Sequence, residues 1–352
     1  EFRGHTAVNG GALAARNASI EISQSRFVDN IAESGAALFG DGNTVVSVRN
    51  SLFARNDALV QGGAVAVSAA AADLVNCTLS DNLAGERGGG VRAENHAVVH
   101  VANTILWGNS ATEEPALSLV GGEHVVASSC IDQAEYQGGD NLGVPPRFLG
   151  AEKGDYSLLP DSPCIDGGGP VDDPHDLAGH ERTCADAVDM GAFEALPVTP
   201  FDLVLQPGWN LVTIPLILED NRVETLLTEN GDLAIWRPRA DGRYDAARTL
   251  VPKQGYWFLN ADDEERVLTL TGIPPSDQWV RLAKGWALVG PFASVSPPYN
   301  RDVVTPYRAW TCDGYVACEP SLPEHPQEDA DILLPGRGYW IYVARDTRVY
   351  LG

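Results

Sequence analysis

The stretch FARNDA, residues 53–58, decides the fold, because near-copies of it return at regular intervals along the first third of the chain. The related hexapeptides are FRGHTA at 2–7, FVDNIA at 27–32, LSDNLA at 79–84 and LWGNSA at 106–111, so the interval is 25 to 27 residues. A fixed period in this range indicates a repeat architecture in which each copy is one structural unit packed on the next.

Apolar and polar residues alternate within each copy, as in SIEIS at 19–23 and VVSVR at 45–49. Alternation with a period of two indicates β-strands, and no copy carries the stripe of an amphipathic helix. The sequence therefore predicts a β-solenoid in which each copy makes one coil and the coils stack at the ordinary interstrand spacing of about 4.8 Å. Equivalent apolar side chains would then lie above one another in an internal column, formed by Ile22, Val48, Leu74 and Val101.

An asparagine recurs three residues after each hydrophobic anchor except the first, at Asn30, Asn56, Asn82 and Asn109. Identical amides on successive coils can hydrogen-bond to one another as a ladder. Asparagine also tolerates the left-handed backbone of a sharp corner. We interpret these four residues as structural rather than ligand-binding.

The pattern FxxN followed by GGA, here Phe53, Asn56 and residues 62–64, resembles the repeats of chlamydial polymorphic outer-membrane proteins. The resemblance covers about residues 1–115. It implies a right-handed parallel β-helix of the kind found in the passenger domains of surface adhesins. The pattern is specific for the fold and weak for the function.

A different motif string follows, with SPCIDG at 162–167, Arg182, and DMGAFE at 189–194. It resembles the end region of bacterial surface β-helix proteins called choice-of-anchor Q. A solenoid end exposes unpaired strand edges, so we expect residues of about 116–195 to form a cap on repeats spanning about 2–115. The carboxylates of Asp166, Asp176, Asp189 and Glu194 either stabilise turns or form a Ca²⁺ site, the only cofactor that the sequence brings into question.

The second half is a duplicated module, expected at 201–274 and 275–352 after a solenoid domain at 1–195. LQPGWNLV at 205–212 returns as LAKGWALV at 282–289, and GYW at 255–257 returns at 338–340. Short aromatic and β-branched segments between Gly-containing turns predict a small β-sandwich or barrel. Tyr and Trp of each GYW face opposite sides of a strand, so one packs in the core and the other is a candidate glycan platform; the four residues are Tyr256, Trp257, Tyr339 and Trp340.

The six cysteines include two pairs that we expect to form disulfides in an exported protein, Cys164 with Cys184 and Cys312 with Cys318. Cys77 and Cys130 have the surroundings of small buried hydrophobic residues. The chain begins directly on a repeat copy, from which we expect a fragment or processed form of a longer protein.

The formal net charge of −24 argues against nucleic acids and anionic membranes as partners, because phosphate binding needs clustered Lys and Arg. No apolar run reaches the roughly 18 residues that a membrane-spanning helix needs.

Asp29, Arg55 and Asp81 occupy one outward position on consecutive coils, so they are the candidate catalytic residues if the solenoid is an enzyme. The same column has a structural alternative, in which side chains of opposite charge on neighbouring coils attract one another. No HExxH, GxSxG or Cys–His motif occurs.

The sequence therefore favours a non-catalytic, secreted or cell-surface bacterial protein serving adhesion, display or structural assembly. Its expected partners are an extracellular glycan, a surface protein, or copies of itself in filaments or a surface layer. The alternative is a carbohydrate-active enzyme of the pectate-lyase-like β-helix type, or its binding portion.

Overall fold

The computed structural model describes residues 1–182, 187–231, 233–239, 243–275, 279–295, 300, 302–303, 307–311, 314–318 and 333–351. Two compact units divide the chain, Glu1–Leu196 and Pro197–Gly352. The first unit is a parallel β-solenoid of about five coils, as the repeat predicts, and the second is built from small antiparallel sheets.

The strands of the solenoid follow the coils in chain order. Coil 1 contains β1 (Phe2–Arg3), β2 (Leu13–Arg16) and β3 (Ser19–Ser23); coil 2 contains β4 (Arg26–Val28), β5 (Ile31–Ser34), β6 (Leu38–Asp41) and β7 (Val45–Arg49). Coil 3 contains β8 (Leu52–Ala54), β9 (Asp57–Gln61), β10 (Val65–Ser68) and β11 (Ala71–Val75). Coil 4 contains β12 (Thr78–Ser80), β13 (Leu83–Ala84), β14 (Val91–Glu94) and β15 (Val98–Ala102). Coil 5 contains β16 (Ile105–Trp107), β17 (Leu117–Leu119) and β18 (His124–Ala127), and β19 (Cys130–Ile131) follows it.

Each strand pairs in parallel with its equivalent one coil away, which gives three long sheets and a short fourth sheet made of β5, β9 and β13. The register places Ile22 beside Val48, Val48 beside Leu74, and Leu74 beside Val101. The internal column predicted from the repeat is therefore confirmed. The rings of Phe2, Phe27 and Phe53 stack with centroids 4.8 and 4.7 Å apart, which is the interstrand spacing itself.

The sharp corners of the coils are left-handed, and two columns of non-glycine residues among them contact the cap. One column is Asp29, Arg55 and Asp81; the other is Gln24, Asn50, Asn76 and Asn103, all with φ between 45° and 58°. The ladder residues Asn30, Asn56, Asn82 and Asn109 each follow a corner and do not occupy it. The left-handed role expected for them was wrong, because the residue one position earlier makes the turn.

A cap follows the last coil and folds back along the side of the solenoid. It contains two short 3₁₀ turns, Ala134–Tyr136 and Ala151–Lys153, and an antiparallel hairpin of β20 (Phe148–Gly150) with β21 (Asp155–Leu158). The hydrogen bonds that attach it to the corners include Gln24 Nε2 to Asp176 O, Asn103 Nδ2 to Gly169 O, and Gly169 N to Asn103 Oδ1. The second asparagine column is therefore the surface on which the cap sits.

The second unit contains two similar modules. The first module has β22 (Thr199–Leu205), β23 (Gly208–Thr213), β24 (Ile217–Leu218), α1 (Val223–Asn230), β25 (Leu233–Pro238), β26 (Tyr244–Ala246), β27 (Gly255–Asn260) and β28 (Arg266–Ile273). The second has β29 (Trp279–Leu282), β30 (Gly285–Val289), β31 (Tyr307–Thr311), β32 (Gly314–Cys318), β33 (Tyr339–Val343) and β34 (Thr347–Tyr350). The sheet orders correspond, β23-β27-β25-β26 against β30-β33-β31-β32, while the helix α1 was not predicted.

The two modules contact each other reciprocally within this unit. A Cβ on Gly338 would lie 2.9 Å from Leu211 Cγ, and a Cβ on Gly255 would overlap the side chain of Leu288. Gly338 and Gly255 are the first residues of the two GYW motifs, and Leu211 and Leu288 are equivalent residues of the two GW motifs. The glycine of each GYW is therefore needed because the leucine of the other module approaches its backbone closely.

Candidate functional site

The outer face of the four-stranded sheet in the first module carries a group of large aromatic side chains. In β27, Tyr256 and Phe258 are fully buried and Trp257 points to the opposite face, as the alternation of a strand requires. Trp257 lies in register with Trp236 on β25, which puts both indoles on one face. Trp209 of β23 contributes a third indole to it, with ring centroids of Trp209 and Trp257 6.4 Å apart and the planes at 90°.

Trp209, Trp236, Tyr244 and Trp257, which we call the aromatic pocket, line a cavity of about 440 Å³. Trp209, Trp236 and Tyr244 are 46%, 38% and 47% exposed, unusually open for side chains of this size. A perpendicular pair of indoles presents a ring face beside a ring edge. Such a surface matches the apolar C–H face of a sugar ring, while the indole N–H and phenol O–H groups can bond to hydroxyls.

The second module carries related residues on the equivalent face. Trp286 is 58% exposed and meets Tyr342 edge to face with ring centroids 5.5 Å apart. Trp340, the equivalent of Trp257, is half-buried, and Tyr339 is in the core, where its hydroxyl accepts a hydrogen bond from Leu334 N at 2.8 Å.

The sequence left open which ring of each GYW packs in the core, so Tyr256 and Tyr339 stood as platform candidates beside Trp257 and Trp340, and their burial removes them. Both face the core of their modules, so only Trp257 and Trp340 of that set face outward. The sequence analysis also missed three residues of the aromatic pocket as site residues: Trp209, Trp236 and Tyr244. These residues could have been found only from the strand register, which places Trp209 and Trp236 on the strands that flank the GYW strand.

The charged column Asp29, Arg55 and Asp81 lies on one outer edge of the solenoid. Arg55 Nε donates to Asp29 Oδ1 at 2.9 Å, and the hydroxyl of Tyr156 in the cap donates to Asp81 Oδ2 at 2.9 Å. Arg3 Nη1 donates to Asp29 Oδ2 at 2.8 Å. These side chains flank a polar cleft of about 280 Å³, whose cationic lining residues are Arg3, Arg26, Arg55 and Lys153.

Two groups of this column keep their protons near neutral pH. The pKa of Tyr156 is raised far above its usual value, chiefly by burial and then by the charge of Asp81. The hydrogen bond to Asp29 raises the pKa of Arg55 as well. The phenol therefore stays protonated as a donor, and the guanidinium stays charged. The geometry makes the column a chain of paired charges, and the carboxylate of Glu1, which also lines the cleft, pairs with Arg3.

The four ladder asparagines are buried and bonded to one another. Each Nδ2 donates to the Oδ1 of the next coil at 2.9 Å, from Asn30 to Asn56, from Asn56 to Asn82 and from Asn82 to Asn109. The backbone N–H of each donor residue binds that same Oδ1 at 3.0 to 3.1 Å. These amides have their hydrogen bonds inside the protein, so they are placed for stability.

The cap carboxylates are held by backbone amides and an arginine. Asp176 Oδ1 accepts from Ala178 N and His180 N, and Asp189 Oδ1 accepts from Asp166 N. Within the described residues, no group of three His, Cys, Asp or Glu side chains is arranged to hold a metal ion. The calcium site at Asp166, Asp176, Asp189 and Glu194 stays a prediction.

Arg182 is the centre of the cap, and its guanidinium is fully buried. It donates to Glu194 Oε1 and Asn50 Oδ1, both at 2.8 Å, and to Gly191 O at 2.9 Å. Burial and the neighbouring Asp189 raise the pKa of Glu194 to about 7. This network joins the cap to a corner of the solenoid through Asn50.

Three cysteines, Cys77, Cys130 and Cys164, are buried thiols. The predicted pairs cannot be placed, because Cys184 and Cys312 lie outside the described residues and the side chain of Cys318 does too. Cys130 and Cys164 belong to one apolar cluster.

No helix among the described residues has the length and apolar character to cross a membrane. No family model, curated protein or solved structure matches the chain.

Proposed function

We propose that this is a non-catalytic protein of the bacterial cell surface or the extracellular space, in which the solenoid is a rigid scaffold and the first module binds a glycan in the aromatic pocket. The observation that carries the proposal is the convergence of three indoles and one phenol, from four strands, around one open cavity. Burying such residues would stabilise the module, so their exposure calls for a ligand.

The aromatic pocket favours a neutral or weakly charged sugar over other ligands. The four side chains that line it carry no charge, so among the described residues it offers no ion pair to a phosphate or a carboxylate. Their hydrogen-bonding groups are few and lie at the ends of large apolar surfaces, an arrangement that binds sugar rings by their faces. The resemblance of the repeats to surface adhesins and of the cap to choice-of-anchor Q proteins supports an extracellular location.

The test is a glycan array followed by titration of the purified full chain, monitored by intrinsic fluorescence and calorimetry. We expect Trp257→Ala and Tyr244→Ala each to weaken binding about ten-fold or more, equivalent to about 1.4 kcal/mol. Trp279→Ala is the matched control, because Trp279 is equally exposed, at 44%, but lies on β29 outside the aromatic pocket. Equal losses in all three variants, or no glycan bound by the wild type, would refute the proposal.

The alternative, a carbohydrate-active enzyme, is favoured by one observation, the polar cleft beside Asp29, Arg55, Asp81 and Tyr156. Polygalacturonate and alginate are suitable substrates for testing it, with and without Ca²⁺. We expect no cleavage, because Asp29 is bonded to Arg3 and Arg55 and Asp81 accepts from the Tyr156 hydroxyl, so both carboxylates are engaged within the protein. Cleavage that disappears in Asp81→Ala would establish the alternative.

A further inference from the structure

Two thiols meet where the cap packs on the last coil of the solenoid. Cys130 is the first residue of β19, and Cys164 lies in the SPCIDG segment of the cap. Both are fully buried. They share a cluster with three more buried apolar residues, Ile105, Leu158 and Met190.

The backbones that carry these thiols are fixed from both sides. Cys130 N donates to Thr104 O at 3.0 Å within the stacked coils. Cys164 N donates to Ser162 Oγ at 3.2 Å, and Cys164 O accepts from Met190 N at 3.0 Å. The chain is held on each side, and both side chains enter the same apolar cluster. There the Cys130 thiol donates to Val144 O at 3.2 Å, and the Cys164 thiol is close enough to raise the pKa of Cys130.

We propose that Cys130 and Cys164 form a disulfide in the mature protein, which ties the cap covalently to β19 at the end of the solenoid. A thiolate of one cysteine attacks an oxidised disulfide, either a protein dithiol oxidant or glutathione disulfide, and forms a mixed disulfide with loss of one thiol. The second cysteine, as thiolate, then displaces the other half. The two cysteines lose two protons and two electrons, and the oxidant is reduced to two thiols.

The burial of the pair determines when this bond can form. The hydrogen bond to Cys164 and burial both raise the pKa of Cys130 far above its usual value, so the nucleophilic thiolate is not accessible once the cap has docked. Oxidation must therefore accompany the docking of the cap during folding. The finished bond is then shielded from reductants for as long as the cap stays closed.

This pairing replaces the pairing of Cys164 with Cys184 expected from sequence spacing. The two pairings exclude each other, because Cys164 can form only one disulfide. Cys77 lies in a different apolar cluster inside the solenoid, which contains neither Cys130 nor Cys164, so it serves as an internal control.

The experiment starts from full-length protein that is unfolded, reduced and refolded in a mixture of reduced and oxidised glutathione. Free thiols are then alkylated under denaturing conditions, and peptides are analysed by mass spectrometry without reduction. We expect a cross-linked peptide joining Cys130 to Cys164, with Cys77 alkylated. Alkylation of both Cys130 and Cys164, or a cross-link of Cys164 to Cys184, would overturn the proposal.

Variants add a second readout. Cys130→Ala, Cys164→Ala and the double variant should lower the Tm of the solenoid by the same amount, about 5 to 10 °C, because either change removes the whole cross-link. Cys77→Ala should keep the cross-linked peptide. Adding glutathione disulfide to folded, reduced protein should give little oxidation. Rapid oxidation there would contradict the claim that the bond forms only while the cap docks.

The inference rests on the proposed extracellular location only for the natural oxidant. Because glutathione supplies the oxidant in the test, a missing cross-link would overturn the disulfide and leave glycan binding in place. A missing glycan would likewise leave the disulfide in place.

Discussion

The asparagine ladder provides the sharpest test of how the solenoid is stabilised, and Asn56 is the residue to change. Its side chain is fully buried and makes four hydrogen bonds. Oδ1 accepts from Asn30 N at 3.1 Å and from Asn30 Nδ2 at 2.9 Å. Nδ2 donates to Asn82 Oδ1 and to Phe27 O, both at 2.9 Å.

We predict that Asn56→Ala destabilises the solenoid by about 2–6 kcal/mol, since each of the four bonds contributes about 0.5–1.5 kcal/mol. Part of this loss comes from the backbone N–H of Asn30, which stays buried but loses its acceptor, Asn56 Oδ1. Asn82 Oδ1 is less affected, because Asn56 N still donates to it at 3.0 Å.

The assay is thermal and denaturant unfolding of the full chain, followed by circular dichroism and calorimetry. Asn76→Ala is the matched control: Asn76 is also fully buried in a neighbouring coil, yet neither polar atom of its side chain has a hydrogen-bond partner in the described part of the chain. Its alanine variant should cost only about 1–2 kcal/mol for the left-handed backbone at φ 52°. If Asn76→Ala is as destabilising as Asn56→Ala, then burial and volume, and not the ladder bonds, stabilise these coils.

Three further predictions concern the module contact and the cap. Gly255→Ala should destabilise the second unit by about 1–3 kcal/mol through overlap with Leu288, and Leu288→Ala in the same chain should recover part of that loss; additive effects of the two changes would contradict the contact. Because the pKa of Glu194 is raised from 4.5 to about 7, protonation of this carboxyl stabilises the fold fully below pH 4.5, and that stabilisation is lost as the pH rises through about 7. Glu194→Gln should therefore flatten the dependence of Tm on pH between those two values, and an unchanged slope would refute this. Arg182→Leu should destabilise the solenoid by about 3–5 kcal/mol at pH 8 and by less at pH 5, because the buried Glu194 side chain needs the guanidinium only when it is ionised. An equal loss at both pH values would show that packing dominates.

The solenoid was predictable because its determinants are local and repeated. A period of about 26 residues, alternating apolar residues and a recurring asparagine fix which residues lie above one another, and the register of Ile22 with Val48 follows directly. The position of the left-handed corners was not predictable in the same way. It depends on φ at positions such as Arg55, a residue type that rarely adopts left-handed backbone and does so here because the neighbouring coils constrain it.

The cap and the aromatic pocket required the tertiary structure. Sequence motifs identified Arg182 and Glu194 as members of one region, but only the folded chain shows that they pair with each other and with Asn50, which is more than 100 residues away. Likewise, only the folded chain shows that Cys130 and Cys164 lie in one buried cluster.

By itself, the sequence determined the repeat, the strand content, the duplicated modules and the opposite orientation of the two rings in each GYW, because these depend on neighbours along the chain. The tertiary structure alone decided that Trp209, Trp236, Tyr244 and Trp257 enclose one cavity, and that Gly255 is required by Leu288 of the other module. The physical reason is that strand register and module packing bring together residues that are far apart in sequence, and a local sequence pattern does not specify these contacts.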